Sequence, residues 1–282
     1  PCLLGRVLFE VEMCDPSKSA AAMRDCMKIL KEGYVPGANS AEVATRVHDR
    51  AYDLLGCDDP YHALKVRSQE VAAELLPRAQ FLIESSPDRL RAAMLAAIAG
   101  NVMDFGIAGL KDPNELLHQF DAIVRQGLDV DDLMRVRELI IGASKVLYLM
   151  DNCGEDVLDA LLVREIKALG PKVVGVVKGR PVLTDVTMED AKRSGTIDEF
   201  DEVITTGMFA VGIDVHRMGD RLRREMEGAD LIISKGMANF ESLSDAPYRP
   251  IAFVMKAKCL PVAEAVRAKE GDNVVRLLER KC

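Results

Sequence analysis

The chain has 282 residues, enough for one large or two ordinary domains, so the size of its core does not limit what it can fold into. Its 45 acidic residues against 37 basic, with a pI near 5.2, argue against a nucleic-acid partner, which needs a basic face. No apolar run approaches the roughly 18 residues of a membrane helix, no signal-peptide pattern opens the sequence, and seven cysteines scattered from Cys2 to Cys282 make no disulfide framework; a soluble cytoplasmic protein with reduced thiols is expected.

From Cys2 to about Gly142 almost every window has helical periodicity. Asp15-Pro16 reads as an N-cap followed by Pro at N1 and opens a stretch that ends at Gly33, Ser40 opens another that closes at Gly56, and Ser86-Pro87 opens a third. Ala93 to Gly106 is an Ala-rich helix running into Gly100-Asn101-Val102-Met103-Asp104, with Asn101 and Asp104 one turn apart on the same side. An all-helical domain of about six helices is expected over 1–142.

After Gly142 short apolar runs alternate with helical segments. Val146 to Met150, Lys172 to Val177, Val203 to Thr205, Asp230 to Ser234 and Ile251 to Met255 read as strands, with Val274-Val275 as an edge. Helices fit at Leu158–Leu169, Met188–Ser194, Met218–Glu227 and Val262–Lys269; in the first of these Asp156, Asp159, Arg164, Glu165 and Lys167 take the solvent face. This alternation predicts an α/β domain over 143–282 with a doubly wound, mostly parallel, Rossmann-like sheet. The Gly-x-Gly-x-x-Gly of a dinucleotide fold is missing after the first strand.

Each of these strands ends in polar residues. Asp151, Asn152 and Glu155 follow the first, Lys178 and then Thr184-Asp185-Val186-Thr187 the second, Lys235 to Glu241 the strand through Ile233, and Lys256 and Lys258 the strand through Met255. In open α/β sheets ligands bind outside the carboxyl ends of the strands, so these groups are expected to meet on one rim. For Asp151 or Asn152 a plain helix N-cap is an equally weighted reading. Two carboxylates and an amide oxygen suit Mg²⁺ or Mn²⁺ better than zinc, and a cation would hold Asp151 and Asp185 together against their repulsion. Lysines beside them point to phosphate. Cys153 has no His near it in sequence and is expected to pack rather than react.

Asp151-Asn152-Cys153-Gly154-Glu155, Thr184-Asp185-Val186-Thr187, Lys235-Gly236-Met237-Ala238-Asn239-Phe240-Glu241, Gly100-Asn101-Val102-Met103-Asp104 and Asp59-Pro60-Tyr61 together resemble the motifs of the DUF89 family of metal-dependent damage-control phosphatases, the ARMT1-like proteins. The resemblance runs nearly end to end. It implies hydrolysis of phosphate esters of small metabolites such as sugar phosphates, with a divalent ion (Mn²⁺, Mg²⁺, Co²⁺ or Ni²⁺) held by Asp151, Asn152 and Asp185. It also implies that Asn101, Asp104, Glu155, Lys235, Asn239 and Glu241 line the substrate pocket and that Lys256 or Lys258 contacts phosphate. Where the family often has Asn before the second metal-binding Asp, this chain has Thr184, and the Cys-x-x-Cys common near the N-terminus of this branch is represented only by Cys2. The alternatives to an esterase are a module that binds a phosphometabolite without turning it over and a carboxyl methyltransferase; the glycine-poor turn after Met150 offers no site for a methyl donor.

Overall fold

The computed structural model describes residues 2–101 and 115–279. Helices α1 (Cys2–Cys14), α2 (Ser19–Gly33), α3 (Ser40–Leu55), α4 (His62–Ser85), α5 (Arg89–Gly100) and α6 (Glu115–Gln126) precede a two-residue strand β1 (Val130–Asp131) and helix α7 (Leu133–Gly142). Asp15 caps only a short 3-10 turn at Pro16–Lys18 ahead of α2; Asn39, one residue before the expected Ser40, caps α3 through Ala41 N and Glu42 N, and Gly56 ends α3 in the left-handed conformation as expected. The expectation of a purely helical 1–142 misses β1. Two residues carry no periodicity, and β1 exists only because it pairs in parallel with β7 (Asn273–Leu278) far along the chain.

The remaining elements are β2 (Lys145–Leu149), α8 (Glu155–Lys167), β3 (Lys172–Val177), α9 (Met188–Ser194), β4 (Glu202–Thr205), α10 (Asp220–Gly228), β5 (Leu231–Lys235), α11 (Met237–Leu243), β6 (Ile251–Lys256), α12 (Leu260–Ala265) and β7. They form one sheet in the order β1-β7-β6-β5-β2-β3-β4, parallel from β4 through β6, with β7 antiparallel to β6. Thus β7 lies inside the sheet rather than at its edge. The chain winds from β2 outward to β4, then returns to lay β5 on the other side of β2. The order therefore reverses between β2 and β5, and in a doubly wound sheet the crevice opens at that switch point.

Both faces of the sheet are covered, which is why its strands read as unbroken apolar runs. Val146, Tyr148 and Met150 pack into a core shared with α4 to α9, while Leu147 and Leu149 pack with α10, α11 and α12 on the opposite face. The first core runs straight across residue 142. A third cluster joins α1, α2 and α3 to Val182, Leu183, Phe209 and Val211, from the loops after β3 and β4, so the first three helices sit over the carboxyl rim of the sheet.

The solvent face expected for α8 is corrected by its packing. Asp156 and Asp159 are both fully buried, and only Arg164, Glu165 and Lys167 of the predicted polar set reach the surface in part. Asp156 is enclosed by Gln69 of α4, Ser194 and Thr196, while α5 packs on α8 from the other side, where Ala92, Ala93, Ala96, Ala97 and Ala99 have almost no side chain to hold the helices apart. At Gly100 the approach is so close that a Cβ would stand 3.0 Å from the Glu155 Cα. This close packing carries Asn101 to the start of α8.

Candidate active site

The turn after β2 is built by pairing with a distant segment. Asn152 and Asp185 face each other in an isolated antiparallel bridge, Cys153 N donates to Thr184 O at 2.8 Å and Val186 N donates to Asp151 O at 2.8 Å. Asp151, Asn152 and Asp185 are thereby drawn together, only 7%, 3% and 5% exposed. Neither Asp151 nor Asn152 caps α8: the N-cap position is Gly154, at φ +90°, whose N–H is taken by Asp156 Oδ1 at 2.6 Å. Their side chains are committed elsewhere. Asn152 Nδ2 donates to Asp151 Oδ2 at 2.6 Å, and the Thr184 hydroxyl donates to Asn152 Oδ1 at 2.6 Å.

The opposite wall comes from β5. Gly236 follows it at φ +76° and ψ 168°, a conformation that is essentially glycine-only, and the Asp151 carboxylate lies where a Cβ would be, 1.8 Å from Oδ2. From α5, Asn101 Nδ2 donates to Asp151 Oδ2 at 3.0 Å and to Glu155 Oε2 at 2.9 Å. Behind Glu155, Lys235 Nζ donates to Glu155 Oε1 and Asp159 Oδ1, each at 2.6 Å, and to Ala97 O at 3.2 Å. Burial pushes the Asp159 carboxyl up, with Lys235 restraining the shift; for Lys235 itself burial works the other way, but Asp159 and Glu155 outweigh it and raise its pKa.

The Asp185 side is braced too. Lys178 Nζ lies 3.2 Å from Asp185 Oδ2 and donates to Gly212 O. Thr187 and Asp190 form a capping box at the start of α9, and Asp190 also accepts from Lys65 of α4, which reaches Asp59 at 3.0 Å. The Asp59-Pro60-Tyr61 motif thus ties the helical layer to the segment carrying Asp185, with Tyr61 OH donating to Glu10 at 3.3 Å. Lys65→Met leaves two carboxylates without their buried cation and is expected to cost about 3–5 kcal/mol. The urea midpoint measures this; a change below about 1 kcal/mol would show that Arg193, also on Asp190, suffices.

The other expected pocket residues have the following places. Asn239 is buried and donates to Lys235 O at 2.8 Å and Met150 O at 3.2 Å. Glu241 accepts from the Ser40 hydroxyl of α3 at 2.7 Å. Lys256 Nζ donates to Gly271 O, Asn273 Oδ1 and Gln126 Oε1 at 2.7, 3.1 and 3.2 Å, and Lys258 Nζ donates to Asn101 O. Asp104 lies outside the described residues. Residues Met237–Leu243, which carry Asn239 and Glu241, form helix α11. Cys153 is fully buried, and its thiol is pushed well up by burial first and by the nearby Asp156 second, so no thiolate is supplied.

Sequence reasoning placed Lys178 on the rim but missed Asp159 and Gly236 as individual site residues. Asp159 had a signal: it stands four residues after Glu155, on the same face of α8. Among the described residues no three His, Cys, Asp or Glu side chains gather as an ion-binding group. A cation here would rest instead on two carboxylates and the second lone pair of Asn152 Oδ1, with the other positions left to water and substrate. That donor set fits Mg²⁺ or Mn²⁺, which commonly take one or two carboxylates plus phosphate oxygens.

A doubly wound, mostly parallel sheet with a buried cluster of acids and lysines at its switch point defines a Rossmann-like α/β protein. A profile of the damage-control phosphatase ARMT1-like domain matches residues 1–274, and the chain belongs to that phosphatase family, as its motifs predicted. It is 41% identical to a damage-control phosphatase of Archaeoglobus fulgidus over 281 residues, covering 99% of this chain and 97% of that one. It is 31% identical to the damage-control phosphatase PH1575 of Pyrococcus horikoshii over 276 residues, covering 97% and 94%. The crystal structure of the DUF89 family protein ph1575 from the same organism superposes with a TM-score of 0.87 at 30% identity, over 98% of this chain and 96% of that one. No described helix is long and apolar enough to cross a membrane.

Proposed function

We propose that the protein is a divalent-metal-dependent phosphomonoester hydrolase acting on phosphate esters of small metabolites, including damaged ones. The pairing of residues 151–153 with 184–186 supports this most, since it draws two carboxylates and an amide together at the crevice between β2 and β5. Asp151, Asn152 and Asp185 would hold the ion. When bound, it supplies Lewis-acid polarisation of a phosphoryl oxygen. Thr184 and Asn101 fix the orientations of Asn152 and Asp151, and the buried walls keep water from screening them.

Of the two lysines that the family resemblance offers for phosphate, Lys256 is the less suited. An ammonium has three donors, and all three of Lys256 are engaged with Gly271, Asn273 and Gln126. Lys258→Met is expected to lower kcat/KM about 10- to 100-fold, the worth of a charged hydrogen bond, while Lys256→Met stays within about threefold. The reverse order would exchange the two roles.

The test of the function is phosphate release from a panel of sugar and nucleoside phosphates with Mg²⁺, Mn²⁺, Co²⁺ or Ni²⁺. Release with at least one metal, lost to chelator and restored by the metal, is expected. Saturable binding without release under any metal would make the protein a binding module instead.

A further inference from the structure

We infer that Lys235 and Asp159 are a buried positioning pair, which holds the Glu155 carboxylate and through it the Asn101 and Asn152 amides against Asp151, and that Lys235 makes no contact with the substrate phosphate. This rests on the metal-dependent reading above and gives a different role to the lysine that the family motif would place in the pocket.

The donor count carries the argument. Lys235 is completely buried and its three N–H groups meet three acceptors: Glu155 Oε1 and Asp159 Oδ1 at 2.6 Å and Ala97 O at 3.2 Å. None remains for a phosphate oxygen. Ala97 O is available because the last turn of α5 tightens, with Asn101 N donating to Ile98 O instead of to the carbonyl one residue earlier. A cation at a helix C-terminus is favourable, so Lys235 pins the end of α5, where Asn101 stands, as well as the start of α8.

From there the connection is continuous. Glu155 Oε1 faces Lys235, and Glu155 Oε2 accepts from Asn101 Nδ2 at 2.9 Å and Asn152 Nδ2 at 3.2 Å. The same two amides donate to Asp151 Oδ2 at 3.0 and 2.6 Å. Two carboxylates this close repel unless one is neutralised. Lys235 sets its positive charge against Glu155 Oε1, on the side away from Asp151, which lessens that repulsion. Asp159, one turn along α8 from Glu155, fixes the ammonium from its other side.

Two near-isosteric variants, Lys235→Met and Asp159→Asn, test the pair, with Mn²⁺ affinity read by electron paramagnetic resonance on the folded protein and inorganic phosphate read as a competitive inhibitor. Both variants are expected to weaken Mn²⁺ about 10- to 100-fold, as loss of groups that orient ligands does, and to lower kcat. KM and the phosphate inhibition constant should stay within about threefold. The double variant should be little worse than Lys235→Met alone, because the two act as one unit. A Lys235→Met protein that keeps its Mn²⁺ affinity but loses tenfold or more in phosphate affinity would overturn the inference. So would an Asp159→Asn protein with unchanged Mn²⁺ affinity and kcat. Should Lys235→Met fail to fold, Asp159→Asn decides. An independent reading needs neither metal nor turnover: the Lys235 ammonium should give a slowly exchanging NMR signal at neutral pH that inorganic phosphate does not shift. A shift on phosphate addition would overturn the pair even if wild-type protein bound no Mn²⁺, whereas absent Mn²⁺ binding with an unmoved signal would defeat only the proposed function.

Discussion

Asp185→Ala is expected to abolish phosphate release and manganese retention together, with kcat/KM falling on the order of 10³-fold, about 4 kcal/mol of transition-state stabilisation. The size follows from what Asp185 is. It is one of the two carboxylates that the pairing of residues 151–153 with 184–186 draws together, and the backbone bridge to Asn152 fixes its position. Among the described residues the nearby acids Glu155 and Asp159 do not substitute for it, because both are committed to Lys235. The substitution also leaves Lys178, nearly buried, without its carboxylate, so stability should fall as well. Circular dichroism and a urea titration separate the effects, and Asp185→Asn provides the control that keeps the shape while removing the charge. If Asp185→Ala retained activity within tenfold of wild type, the residue would have no place in the site.

Much of this arrangement is written locally. The apolar runs at Val146, Lys172, Leu231 and Ile251 are strands because both faces of the sheet are covered, and a fully buried strand needs no alternation to be recognised. Asp151 could be placed at a carboxyl edge for the same reason. What could not be read was which charged side chains would be buried. Asp156 and Asp159 have the helical spacing of a solvated face, and only helices distant in the chain turn it inward: α5 beside Asp159, and α4 with the end of α9 beside Asp156. Asp156 then survives burial because the Gly154 N–H, Gln69 and Ser194 all donate to it; even so, burial lifts its pKa to about 6. The lysines are a second case. Sequence alone gives Lys235, Lys256 and Lys258 equal claims on phosphate, whereas the acceptors that engage them come from α5 and the residue after it, α6, α8, the approach to β7 and β7 itself. In the same way β1 and α11 are too short to show a period and are fixed by their partners.

Gly236→Ala is expected to damage both stability and turnover through a single methyl group. The backbone there, at φ +76° and ψ 168°, costs an L-residue about 1–3 kcal/mol by itself. The added carbon would then stand 1.8 Å from Asp151 Oδ2 and 2.2 Å from Asp151 Cγ, far inside contact distance, so the carboxylate must leave its place. It cannot move without breaking the hydrogen bonds from Asn101 and Asn152 that orient it. A displacement of about 1 Å at a reacting centre is enough to cost about 100-fold in rate, so kcat should fall by at least that much, and manganese affinity with it. Strain and displacement can be separated with a second substitution. In an Asp151→Gly background the methyl group has room, so Gly236→Ala should then cost only the backbone term, and the two stability changes should fall short of additive. Equal costs in both backgrounds would mean that the glycine serves the turn alone and that Asp151 is not held against it.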